Sequence, residues 1–178
     1  ATPDRKGLFA QLTGALAATG ANIAEARIFT LKDGTALDVF QIQGLDGKPY
    51  EDRARLKKTL KAALGGKLEV EKELSGRKRP LQNRLRHVKV IPRVIIDNQA
   101  SVSNTVIEIN GKDRPGLLYT LARTLSGLGL QISAAKIATY GSLAVDVFYI
   151  RDGFGLKILT PAALARIENA LLEALDDQ

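Results

Sequence analysis

A chain of 178 residues, 45% hydrophobic and 25% charged, has the composition of a soluble globular protein and room for one ordinary domain or two small ones. Without cysteine and with a single histidine, His87, it excludes a disulfide framework, a zinc–thiolate site, a cysteine nucleophile and most histidine metal clusters. No apolar run approaches the ~18 residues of a membrane span, so a cytoplasmic protein with no membrane partner is expected.

The net charge of +7 suggests nucleic acid or an anionic surface, but its location weakens that reading. Residues 77–93 hold seven Lys or Arg (77, 78, 79, 84, 86, 89 and 93) and no acid. Taking those seven from 26 leaves 19, equal to the 19 acidic residues of the whole chain. The excess belongs to one segment, read as a solvated linker or a docking surface between two near-neutral portions, and His87 is read as a solvated side chain within it.

In chain order, a D-R-K-G turn (4–7) precedes a helix carrying Leu8, Leu12, Ala15, Leu16 and Thr19 at helical spacing, with Gly20 as its stop. Asp4 is suited to cap it. Strands at about 22–31 and 35–43 follow, joined by K-D-G-T, and then a helix marked by Leu56, Leu60, Ala63 and Leu64. The pattern returns with a strand T-V-I-E-I-N (105–110), a D-R-P-G turn (113–116) with Asp113 as cap, and a helix through Leu117, Leu121, Thr124, Leu125 and Leu128, with Gly129 as its stop. Strands at 130–139 and 143–150 and a last helix through Leu164, Ile167, Leu171, Ala174 and Leu175 complete it, Thr160-Pro161 opening that helix.

The recurrence is a repeat. At an offset of 109, eleven of the 28 positions from Asp4 to Leu31 are identical; at an offset of 108, five of the seven from Ala36 to Ile42 are. A one-residue change in the hairpin turn explains the slip. Two copies of one α+β module result, with expected limits 1–75 and 88–178 and a basic linker at 76–87. Copy one lacks a strand ahead of its turn, since the chain begins at Ala1 without an initiator methionine, as a piece of a larger protein would. The apolar, β-branched run 88–96, where Pro92 imposes an edge or a bulge, has three possible places. It forms a hairpin with 105–110 and fills the vacant edge of copy two, giving a permuted ββαββα domain, or it closes copy one, or the weak strand K-L-E-V-E-K (67–72) closes copy one instead. The hairpin is favoured because sequential strands usually neighbour each other.

A D-R-x-G-L turn opening a helix between two strands resembles the ACT domain, a small ferredoxin-like (βαββαβ) module that binds amino acids. Five segments extend the likeness: 21–40, 92–98, 105–119, 137–150 and 154–158. Together they resemble the C-terminal tandem ACT region of the family of bacterial bifunctional uridylyltransferase/uridylyl-removing enzymes. The resemblance implies glutamine as effector, the PII signal protein as substrate of the parent enzyme, catalytic domains of that parent as partners, Mg²⁺ for the parent alone, and ACT–ACT pairing or a homodimer. It places effector-binding residues at Asp4, Arg5, Gly7, Leu8, Asn22 and Ile23 in copy one. Asp113, Arg114, Gly116, Leu117, Gln131 and Ile132 correspond in copy two. A side-chain-free turn at a helix start lets a carboxylate approach backbone N–H groups at the positive end of the helix dipole. Asn22 adds a donor and acceptors. Copy two departs with Gln131 for Asn22, and copy one with Lys6 for Pro115.

The chain carries no Asp-x-Asp pair for Mg²⁺-dependent nucleotidyl transfer, no P-loop and no G-x-S-x-G elbow. Chemistry is expected on parts of the parent outside it. A purely structural pairing module is the alternative reading. RNA binding fits least, because the strands lack the aromatic pattern of an RNA-recognition sheet. Asp38 and Asp146, acids inside apolar strands, are expected to pair with Arg27 and Lys136 across their hairpins.

Overall fold

The structure is a computed structural model describing residues 2–44, 46–75 and 90–176. The expected linker 76–87 and the first residues of the run 88–96 lie outside the described residues. In the first half, β1 (Thr2–Pro3), α1 (Leu8–Thr19), β2 (Asn22–Thr30), β3 (Thr35–Gln43), α2 (Arg53–Leu64) and α3 (Val70–Ser75) follow one another. The second half contains β4 (Arg93–Asp97), β5 (Thr105–Lys112), α4 (Leu117–Gly127), β6 (Gln131–Tyr140), β7 (Leu143–Arg151) and α5 (Pro161–Asp176). The expected mixed α+β class with antiparallel sheets is what the chain forms.

The hairpin reading of the second copy holds. β4 pairs antiparallel with β5, Val94 opposite Ile109, and the sheet order β4-β5-β7-β6 puts β4 at the edge beside β5. The strand is shorter than the apolar run, starting at Arg93 just past Pro92, whose ring supplies no N–H to a ladder. Residues 67–72 do not form a strand; Val70–Ser75 is the short helix α3. The other sheet has the order β1-β3-β2, where Thr2 and Pro3 sit opposite Ala36 and Thr35 as Gly111 and Lys112 sit opposite Ala144 and Leu143. Two residues of β1 thus occupy the position that the end of β5 holds in the other copy.

Edge strands β2 and β6 run beside each other, so the two sheets adjoin edge to edge, and α1 packs against α4. One hydrophobic cluster crosses the junction, taking in Phe9, Leu16 and Ile28 from one copy and Leu121, Leu125, Phe148 and Ile150 from the other. Fully burying each such side chain contributes roughly 1.5–3 kcal/mol, so the junction is part of the core. Helix α1 shows the consequence in its composition. It is apolar or small nearly all round, and ten of its twelve residues are buried, because α2, α3, α4 and the sheet surround it. Glycines stop the α1 and α4 segments as expected, Gly20 and Gly129 both having positive φ (84° and 82°).

Candidate functional site

Each D-R-x-G turn enters its helix through a glycine in the left-handed region, Gly7 with φ 77° and Gly116 with φ 81°. A side chain at either position would strain the backbone. No side chain caps either helix, so the expected capping by Asp4 and Asp113 does not occur. Asp4 instead accepts a hydrogen bond from the Thr30 hydroxyl at 2.7 Å, joining the turn to the end of β2. Arg5 donates to the Leu64 carbonyl at 3.0 Å, and Arg114 to the Ala174 carbonyl at 2.9 Å. In both copies the arginine therefore satisfies a carbonyl in the last turn of the second helix, an end that also attracts positive charge. The Asp-Arg pair fastens the turn to the fold, and the glycine shapes it.

The other residues expected at the effector site divide by position. Leu8, Ile23 and Leu117 are buried in the core, and Ile132 packs against it. Asn22 is half-buried at the start of β2 opposite Gln43. Gln131, exposed at the start of β6, donates to the Gly153 carbonyl at 3.3 Å. Gly7 and Asn22 stand at opposite ends of α1, about 18 Å of helix apart. Gly116 and Gln131 are likewise separated by α4. A glycine turn and the following strand start of the same copy therefore do not frame one pocket.

Much of what faces Gly7 comes from the other copy. A solvent-open groove of about 460 Å³ is lined by Lys6, Gly7, Ala10 and Gln11 at the start of α1. Tyr119, Arg123, Ser126 and Gly127 of α4 form its opposite wall, and Leu68, Val70 and Glu71 line it at and just before α3. Its volume lies in the ~300–1,000 Å³ range of small-molecule sites. The Ser126 hydroxyl lies 3.4 Å from where a Cβ on Gly7 would stand. Arg5 donates to Gln11 Oε1 at 2.7 Å, which orients the Gln11 amide with its NH₂ as the remaining donor. Tyr119 donates its hydroxyl to Glu71 Oε1 at 2.5 Å, and Arg123 pairs with the same oxygen at 2.9 Å. The tyrosine hydrogen bond, more than the Arg123 charge, holds the Glu71 carboxyl below its ordinary range. Burial, then the bond to Glu71, pushes the Tyr119 phenol up to about 12.

The repeat places a second turn at Gly116, and there the surroundings differ. Leu74 of α3 lies over it, with Leu74 Cδ1 only 3.0 Å from where a Cβ on Gly116 would be. Val70, 6% exposed, sits against Gly14 of α1. The offset of 109 pairs Gly14 with Arg123, Ala17 with Ser126 and Ala10 with Tyr119. Gly14 on α1 thus makes room for Val70 of α3 at the position where α4 carries Arg123, and one groove is open while its counterpart is filled. Sequence reasoning missed Gln11, Tyr119, Arg123 and Ser126. The only signal for them was this divergence within the repeat, which has meaning once α3 is known to be a helix.

The two strand acids do not form the expected pairs. Arg27 pairs with Glu25 at 2.6 Å, and no ion pair among the described residues involves Asp38 or Asp146. The register explains it: Asp38 stands opposite Ile28 and Asp146 opposite Ile137, so Arg27 and Lys136 project to the other face. Asp146 is 2% exposed, and one oxygen of each acid is buried without a hydrogen-bond partner. Burial, reinforced by the charge of Asp113, pushes the Asp146 carboxyl up to about 7. Burial and Asp4 push Asp38 up to about 6.

The segment 154–158 is structural. Ile158 donates its amide to the buried Thr105 hydroxyl at 3.0 Å, Asn98 donates to the Ile158 carbonyl at 2.9 Å, and Lys157 donates to the carbonyls of Asn98 and Ser101. These bonds lock the β4–β5 loop to the chain leading into α5. Among the described residues no cluster of three or more His, Cys, Asp or Glu could hold a metal ion, and no helix is long and apolar enough to cross a membrane.

Comparison with known proteins agrees with this architecture. Residues 93–177 match the family described as the ACR9-like, ACT-like domain. The bifunctional uridylyltransferase/uridylyl-removing enzyme of Rhodospirillum rubrum is 49% identical over 98% of this chain, that of Azospirillum brasilense 51% over 98%, and that of Gluconobacter oxydans 48% over 97%. The chain spans 18–19% of the length of these relatives. The second half of the chain is thus an ACT-like domain, the first half repeats its pattern, and nearly the whole chain is similar to a segment of bacterial bifunctional uridylyltransferase/uridylyl-removing enzymes.

Proposed function

We propose that this chain is the regulatory, glutamine-sensing part of an enzyme that adds uridylyl groups to the PII protein and removes them, acting in the cytoplasm in nitrogen regulation. The observation that carries the reading is the open groove between the Gly7 turn and α4. Its wall offers Arg123 and Tyr119 to a carboxylate, and the Gln11 amide and Ser126 hydroxyl to a side-chain amide. The likeness to the uridylyltransferases supports uridylyl transfer and removal as the parent's activity, and glutamine as the amino acid and PII as the parent's substrate follow from the resemblance drawn from the sequence motifs. Uridylyl transfer, its reversal and the Mg²⁺ they use are assigned to catalytic domains outside this chain. Control of those domains requires that glutamine bind one arrangement of the tandem pair more tightly than another; such coupling is typically ~1–3 kcal/mol. The two copies share one core across β2, β6, α1 and α4, which makes a change at the groove felt by both.

Isothermal titration of the folded 178-residue chain with glutamine and with glutamate tests this directly. Binding of glutamine at one site, with weaker binding of glutamate, is expected. No heat at millimolar glutamine would reject the sensor reading in favour of a structural pairing module. Exposed Phe29, Leu37 and Val39 on β2 and β3 give that second reading its support, since they leave apolar area for another domain or chain.

A further inference from the structure

We propose that Glu71 is a built-in competitor for the effector's carboxylate: it occupies the position between the Tyr119 hydroxyl and Arg123 that an amino-acid carboxylate takes, and its displacement loosens α3 from Gly116. The inference rests on the amino-acid reading of the groove and adds to it the residue that opposes binding and the element that moves.

The geometry is that of a ligand already in place. One Glu71 oxygen accepts from the Tyr119 hydroxyl at 2.5 Å and faces Arg123 Nη1 at 2.9 Å, on the wall of the groove that Lys6 and Gly7 close from the other side. A free carboxylate entering there meets the same phenol and guanidinium, with Lys6 and the start of α1 adding positive potential. Two carboxylates cannot share one guanidinium and one phenol at close range without repulsion, so an arriving carboxylate and Glu71 exclude each other. The Glu71–Arg123 pair is a weak tether. Its side chains are 57% and 65% exposed, and pairs of that kind contribute little.

Displacement is transmitted because Glu71 does not stand alone on α3. The same six-residue helix places Val70 against Gly14 and Leu74 over Gly116. A helix this short has little stability of its own and depends on its contacts. Val70 and Leu74 fill the second groove, and Glu71 ties the helix to the wall of the first. Effector entry at the open groove thereby weakens the cover on the closed one. This gives the tandem pair two arrangements, with α3 seated or released, that differ in affinity for the ligand.

The test uses the whole chain and three variants. Glu71→Gln keeps the shape and removes the charge. Glutamine should bind it roughly twofold to fivefold more tightly than the native chain, the range expected for deleting an exposed ion pair while the amide oxygen still accepts from Tyr119. Arg123→Ala should lose measurable glutamine binding. Leu74→Ala, which loosens α3 without touching the open groove, should also raise affinity. Hydrogen exchange in residues 70–75 should quicken when glutamine is added to the native chain. Equal affinity in the native chain and Glu71→Gln, or unchanged exchange in 70–75 on binding, would overturn the competitor role while leaving amino-acid sensing intact. If neither the native chain nor Glu71→Gln binds glutamine or glutamate, the sensor reading falls, and the competitor role falls with it.

Discussion

Replacing Asp146 by Asn should change how stability depends on pH more than it changes stability at any one pH. Asp146 lies in the central strand β7, 2% exposed, with one oxygen unpartnered and the Asp113 carboxylate as its charged neighbour. The nearby Ala138 amide favours the charged form, and burial outweighs it. The folded-state pKa of about 7 stands above the ordinary carboxylate value of 3.8. The sign follows from linkage: a raised folded pKa contributes stability that is fully present below about pH 4 and is lost as pH rises through about 7. Roughly three pH units at 1.36 kcal/mol each give a loss of order 4 kcal/mol between pH 4 and pH 8. Asn has nearly the same shape and cannot ionise, so it escapes that loss. Urea unfolding followed by circular dichroism at pH 4, 6 and 8 measures the difference between variant and native chain. That difference should move towards stabilisation by up to ~4 kcal/mol over the range, most of it between pH 4 and pH 7. A difference that stays constant with pH would refute the claim that burial holds this carboxyl protonated.

Two further outcomes follow from the roles of the turn and of α3. Arg114→Ala should destabilise the chain by about 1.5–3 kcal/mol, the usual contribution of a hydrogen bond to a charged group, and leave glutamine affinity unchanged. Denaturant midpoints and titration heats distinguish this from a ligand role, which would reverse the pattern. Gly14→Ala should gain up to ~1 kcal/mol from helix propensity if the position were open. Because a Cβ there would come within 2.8 Å of Tyr119 Cδ2 and 2.9 Å of Val70, net destabilisation and faster exchange in residues 70–75 are expected instead. A simple gain in melting temperature would show that α3 does not pack where the structure puts it.

The repeat, the α+β class, most of the strand and helix order and the glycine turns were legible in the amino-acid sequence, whereas β1 and α3 were not. The legible features depend on periodicity and on backbone preferences read within a few residues. Gly7 and Gly116 could be recognised because only glycine enters the left-handed region cheaply. Pro92 and the β-branched run already pointed to an edge strand beside β5. The interior of the site was decided elsewhere. Arg5 reaches Leu64 and Arg114 reaches Ala174, partners 59 and 60 residues away, so no local pattern could separate their structural role from a ligand role. Asp38 and Asp146 lost their expected partners to the strand register, which sends alternate side chains to opposite faces. The stretch 67–72 alternates like a strand, yet it leads into helix α3, where Gly14 leaves room for Val70 and Gly116 for Leu74. Only the packing of one copy on the other put Arg123 and Tyr119 opposite Gly7, because a groove between two repeats is built from residues that the repeat itself keeps more than a hundred positions apart.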